Sequence, residues 1–285
     1  MPALAAVVAA AAFVLAGCAA SSADPSATAL PAGVAVELQQ LRADVAPRQM
    51  QVHVTNESDE PLTVGAVRVE DDRFDGPAAR VIADRESVVR PGGSVDIRVQ
   101  LPAVDCTAGD DGESRVVLEI LSDSGATELA AFARDRLGFL APLHERECLY
   151  ERVTDAATLA FTGFTPSAPG EPAALQLTVS PTGTGEAVVT GIEGTNLLDF
   201  GSAGSAQVYP LDLEVRPGDT APVVREIPLV PFRCDPHAVQ EDKRGTIFEV
   251  RVELEGEPGE FQLFVGEELR GRILTWVADW CGFGG

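Results

Sequence analysis

Lysine is nearly missing from this chain: of its 21 basic residues only Lys243 is not arginine, against 44 acidic ones, for a formal net charge of −23. A surface so negative repels phosphate backbones and anionic headgroups, which excludes nucleic acid as a partner and a basic membrane-binding face as well. Histidine is scarce too, with three in 285 residues, and leaves few bases for acid–base catalysis. Of the two methionines only Met50 lies beyond the N-terminal segment, which argues against Met-rich copper handling. No Gly-x-Ser-x-Gly elbow, His-Glu-x-x-His helix, Walker loop or dinucleotide fingerprint occurs. Beyond residue 16 no run approaches the roughly 20 apolar residues that span a bilayer. The chain therefore reads as non-enzymatic and calls for no cofactor.

What the sequence does hold begins at its N-terminus. Residues 3–16 are rich in Ala, Val and Leu without a charge, too short for a span, and end in Leu15-Ala16-Gly17-Cys18. A Leu three before a Cys, then two small residues, resembles the lipobox of bacterial lipoprotein signal peptides. The resemblance implies cleavage after residue 17 and a lipid such as palmitate on Cys18. Residues 1–17 carry no ionisable side chain, so the mature chain keeps the whole charge of −23. Residues 18–33, rich in Ala, Ser, Asp, Pro and Thr, read as a flexible tether with a reach of roughly 20 Å.

Beyond the tether one pattern is written twice. Phe74 and Phe200 are each followed sixteen residues later by Arg-Pro-Gly, at Arg90-Pro91-Gly92 and Arg216-Pro217-Gly218. Strict alternation marks residues 94–101, with Val95, Ile97, Val99 and Leu101 on one face, and residues 246–254, with Phe248, Val250, Val252 and Leu254 on one face. Turn signals such as Pro91-Gly92-Gly93, Ser124-Gly125 and Pro258-Gly259 separate short apolar runs, as in antiparallel sheets. Seven to nine strands per copy resemble the immunoglobulin-like or fibronectin-type sandwich class. The expected fold is thus all-β, with β-sandwich domains at residues 34–152 and 153–285 and recognition carried by loops at the sandwich ends. Residues 135–150 read as a strand around Leu137 and Leu140 followed by a helical turn.

Four cysteines remain after Cys18, an even number in an exported chain. Only bonds internal to each repeat leave the copies equivalent, which predicts Cys106 with Cys148 and Cys234 with Cys281. The competing reading pairs His144 with Cys148 and Cys234 with His237 as metal ligands. No Cys-x-x-Cys is present, however, and the histidines lie on opposite sides of their cysteines in the two copies.

Other candidates are weaker. His53 falls on the outward face of an alternating strand. The run from Asp71 to Gly76 echoes a calcium loop but has Arg73 at the third place and Ile82 where a bidentate Glu is needed, and Asp110-Asp111-Gly112-Glu113 reads as an acidic turn. Trp276 and Trp280 read as core residues of a last strand beside Cys281, with a sugar platform as the alternative.

The sequence thus describes a lipid-tethered protein on the extracytoplasmic face of the cell membrane. It acts as a non-catalytic binding module for a protein or cell-envelope partner. The alternatives are an extracytoplasmic metal-binding protein and a secreted hydrolase built on His53, His144 or His237. In a bacterial host, Cys18→Ser is expected to abolish labelled palmitate incorporation and detergent-phase partitioning, with the intact mass of the mature chain as the check.

Overall fold

The computed structural model describes residues 28–109, 111–203, 207–240 and 242–284. The expected signal peptide, Cys18, most of the tether and Asp110 lie outside the described residues. The first half runs β1 (Thr28–Ala29), β2 (Val34–Gln39), α1 (Arg42–Val45), β3 (Gln49–Asn56), β4 (Leu62–Glu70), β5 (Ala78–Arg80), β6 (Ser87–Val89), β7 (Gly93–Gln100), β8 (Ser114–Ser122), β9 (Gly125–Asp135) and α2 (Leu140–Ala156). The second runs β10 (Ala157–Thr165), β11 (Ala173–Pro181), β12 (Ala187–Glu193), β13 (Leu198–Asp199), β14 (Val208–Val215), β15 (Val223–Pro231), α3 (Pro236–Gln240), β16 (Ile247–Leu254), β17 (Glu257–Phe264) and α4 (Glu267–Trp280).

The duplication is visible in the strand pairing. The antiparallel ladders β2·β3, β3·β7, β5·β7, β4·β6, β4·β8 and β8·β9 recur, element for element, as β10·β11, β11·β15, β13·β15, β12·β14, β12·β16 and β16·β17. The shared turn before β7 and β15 has Pro second and Gly third, and Gly92 (φ +70°) and Gly218 (φ +95°) take the left-handed conformation that this position requires. Alternation is as expected: Ile97 and Val99 are buried on β7, and Phe248, Val250 and Val252 on β16, with charged neighbours outward.

The all-β architecture is as expected, but the two halves are not alike. In the first, β5 also pairs with β4, and β9 pairs in parallel with β2 through Glu37↔Arg134 and Leu38↔Asp135, so seven strands close into a barrel-like sheet. In the second, neither seam forms and two four-stranded sheets, β10-β11-β15-β13 and β14-β12-β16-β17, share one core. At one of the two seams the physical reason is α2, which packs against both β10 and β17 where that closure would fall.

Helices correct two sequence readings. The segment around residues 135–150 is mostly helix α2, which starts where the Asp135 carboxylate accepts the amides of Leu137, Gly138 and Leu140 at 3.1, 2.9 and 2.8 Å. It runs across the expected boundary at residues 152 and 153, sending Leu140 and Leu143 into the first core and Leu149, Val153 and Ala156 into the second. Trp276 and Trp280 lie not in a strand but in α4, whose buried Leu269, Ile273, Trp276 and Val277 follow helical spacing. The expected tether is shortened by β1, which pairs in parallel with Leu129 and Ala130 of β9.

Both sulfur pairs are as expected, Cys106–Cys148 at 2.09 Å and Cys234–Cys281 at 1.99 Å. Each ties the segment following β7 or β15 to the helix that ends its half, at 42 and 47 residues of separation. Closing loops of this size removes chain entropy worth about 4 kcal/mol each. The Cys106→Ser/Cys148→Ser variant is expected to lose about 4 kcal/mol in denaturant unfolding, and peptide mapping without reductant is expected to show the two pairs.

Candidate functional site

The junction of the two halves holds a cleft of about 410 Å³. Its walls come from three sources: Ala46 and Val104 of the first half, Leu143 and Tyr150 of α2, and Ile247, Phe261 and Phe264 of the second. Tyr150 stacks on Phe261 with ring centroids 4.8 Å apart, which joins α2 to β17. Arg48 fastens α2 from the other side. Its Nε donates to Glu147 Oε1 at 2.9 Å and its Nη2 to Glu147 Oε2 at 2.5 Å, while the same Nη2 reaches the Pro102 carbonyl at 2.9 Å. Arg48 itself has a φ of +51°, a left-handed conformation that costs a non-glycine residue about 1–2 kcal/mol. Arg146 also lines the cleft. Burial pushes its guanidinium below the ordinary value, against the pull of Glu249 and with the repulsion of Arg244.

One wall is set by a buried ion pair. Arg73 donates to Asp71 through Nε at 2.9 Å and Nη2 at 2.7 Å, and Ser114 Oγ adds a bond to the same carboxylate at 2.5 Å. The backbone of this turn then holds the cleft segment: Asp105 N reaches Arg73 O at 2.8 Å, Asp75 N reaches Ala103 O at 2.9 Å, and Phe74 bridges Val104. What resembled a calcium loop is therefore a closed turn whose third place supplies its own cation. Burial raises the Asp71 carboxyl, but the bonds from Arg73 and Ser114 outweigh it and hold the group below its usual 3.8.

The other sequence candidates do not converge on the cleft. Cys148 and Cys234 have their sulfurs in disulfides and offer no thiolate, which removes the proposed pairing with His144 and His237. His144 is buried with Nε2 3.0 Å from the Asp105 carbonyl, and His237 is exposed on α3. His53 faces outward on β3, its Nδ1 2.7 Å from Asp96 Oδ1. The tryptophans are packing residues: Trp276 meets Phe164 edge-on at 5.5 Å, and the indoles of Trp276 and Trp280 donate to the carbonyls of Ser167 and Glu171. Sequence reading missed one acidic group, Glu193, Glu249 and Glu260, whose carboxylates lie within 4.8 Å of one another. Arg251 pairs with Glu193 at 2.6 Å, so protein charge already offsets part of that cluster.

No protein-family model matches the chain, and no curated protein does. Among solved structures it is similar to red sea bream transglutaminase, at 10% identity over 84% of this chain and 32% of that one, with a TM-score of 0.24. It is also similar to the Pseudomonas aeruginosa CupB2 chaperone, at 13% identity over 78% and 95% and a TM-score of 0.21, and to the E. coli chaperone DraB, at 11% over 81% and 98% and 0.22. The chain spans about a third of the transglutaminase's length. Overlaps this low carry no argument about activity.

Asp71→Asn removes the buried carboxylate to which Arg73 and Ser114 donate and is expected to cost about 3 kcal/mol at pH 7, read by denaturant unfolding. The native pair contributes fully above about pH 4 and fades as the pH falls through the depressed carboxyl value. The variant lacks that titration, so its stability curve is expected to converge on the wild type's towards pH 2.

Proposed function

We propose that the protein is an extracytoplasmic lipoprotein, anchored by a lipid on Cys18, that acts as a binding module and recognises its ligand or partner in the junction cleft. One observation carries the reading. The cleft is walled jointly by both repeats and by the helix that threads them, so the walls are held in fixed relation by a disulfide, a two-bond Arg48–Glu147 pair and the Tyr150–Phe261 stack. Such pre-forming is what a recognition site needs, because ordering a loose wall on binding costs about 0.5–1.5 kcal/mol per immobilised side chain. An apolar lining with few polar groups is the usual character of a ligand cleft. The lipid anchor draws on the residues 15–18 motif, and the strong negative charge leaves a lipid as the route to the membrane.

A photo-crosslinking side chain placed at Gln262, on the cleft wall, is expected to capture one adduct of defined mass in intact cells. The same group at Ser124, an exposed turn residue outside the cleft, is expected to capture none. Capture at Ser124 with nothing at Gln262 overturns the assignment.

A further inference from the structure

We propose that the junction cleft takes an amphiphilic anion: a small molecule with an apolar chain or ring and a carboxylate, sulfate or phosphate head. The inference rests on the cleft being the recognition site and names the chemistry it selects. Beside the apolar cleft, and sharing Ile247 with it as a wall, lies a second hollow of about 500 Å³. Its lining brings together Arg42 of α1 with Arg233, Lys243 and Arg244 of the second half. Several arginines elsewhere sit against carboxylates, as Arg68 does with Glu70 and Glu128 and Arg115 with Glu70. These four cations have no hydrogen bond or ion pair among the described residues.

That concentration is out of keeping with the composition. In a chain of net charge −23, the single lysine and three arginines converge on one hollow unpaired. The two acids that share the lining form no ion pair with them among the described residues. Asp242 is buried and takes the Gly245 amide on both oxygens at 2.9 Å, and Glu249 accepts a bond from Gln262 at 3.3 Å. Arg146 lines the apolar cleft and feels the charge of Arg244 in the second hollow.

The two halves of the site make complementary demands. A neutral apolar ligand covers the half-buried Tyr150 and Phe264 but leaves four cations repelling one another. A hydrophilic anion pairs with the cations but leaves the open parts of Tyr150 and Phe264 in water. A molecule carrying both parts satisfies both, since walls of low dielectric focus the field of like charges and guanidinium groups suit carboxylate and phosphate oxygens. Each hollow lies in the roughly 300–1,000 Å³ range of small-ligand sites.

Decanoate, decanol and inorganic phosphate, titrated calorimetrically into the full mature chain, separate the contributions of tail and head. Decanoate is expected to bind once per chain, at least tenfold more tightly than either decanol or phosphate. Arg233→Gln with Arg244→Gln is expected to lower decanoate to the level of decanol, while Phe264→Ser weakens both. These side chains are exposed or half-exposed, and disulfide mapping checks that the variants are folded. Equal binding of decanol and decanoate, or decanoate binding that ignores the arginine changes, overturns the anionic head and leaves the cleft reading in place. Absence of any saturable binding overturns the whole ligand class, whereas that cleft reading fails only on the Gln262 crosslink.

Discussion

Everything at the junction depends on one helix being shared by two cores. Leu140 and Leu143 at the start of α2 belong to the first core, and Leu149, Val153 and Ala156 at its end belong to the second. A continuous helix is stiff on this scale, because each residue advances it only 1.5 Å and every internal amide is bonded. Moving one half against the other therefore means breaking helical hydrogen bonds or pulling apolar side chains out of a core. The Arg48–Glu147 pair and the Cys106–Cys148 bond reinforce the helix on the side of the first half. The two repeats act as one body, with no loose linker between them.

The same helix explains why two copies of one pattern fold differently. The ladders common to both halves leave two seams open, and in the first half a long β9 of 11 residues reaches β2 and closes the ring. In the second half β17 is shorter, at 8 residues, and α2 lies against both β10 and β17, so the sheets stay parted and enclose the helix's apolar end instead. Burying Leu149 and Val153 in that gap replaces the backbone hydrogen bonds that closure would have supplied. Asymmetry between the repeats thus goes with order along the chain: among the described residues only the second copy has a helix in front of it.

The sequence was most legible where one residue pattern served one environment. Strands β7 and β16, the paired Arg-Pro-Gly turns and the two cysteine pairs follow from alternation and repetition alone. Helix α2 did not, because its apolar residues turn from one face to another: at 100° per residue the set 140 and 143 lies roughly 140° from the set 149, 153 and 156. No single stripe exists for periodicity to find. Helix α4 has the stripe, at Leu269, Ile273, Trp276 and Val277, but Ile, Thr, Trp and Val at residues 273–277 favour strand, and tertiary packing overrides that preference. Barrel closure rests on two residue pairs nearly a hundred positions apart, and the cleft draws on segments between residues 40 and 264. Of the cationic hollow only the neighbours Lys243 and Arg244 stand out in the sequence. Nothing there announces Arg42 and Arg233 beside them.

Strand β1 sets the direction in which the chain enters the barrel. It runs parallel to β9 at Leu129 and Ala130, while β9 travels on towards Asp135 and the start of α2. From Thr28 the polypeptide therefore enters the barrel heading towards the junction and away from the rim where the Ser122–Gly125 hairpin turns, so the first described strand and the last strand of the barrel deliver the chain to the same end.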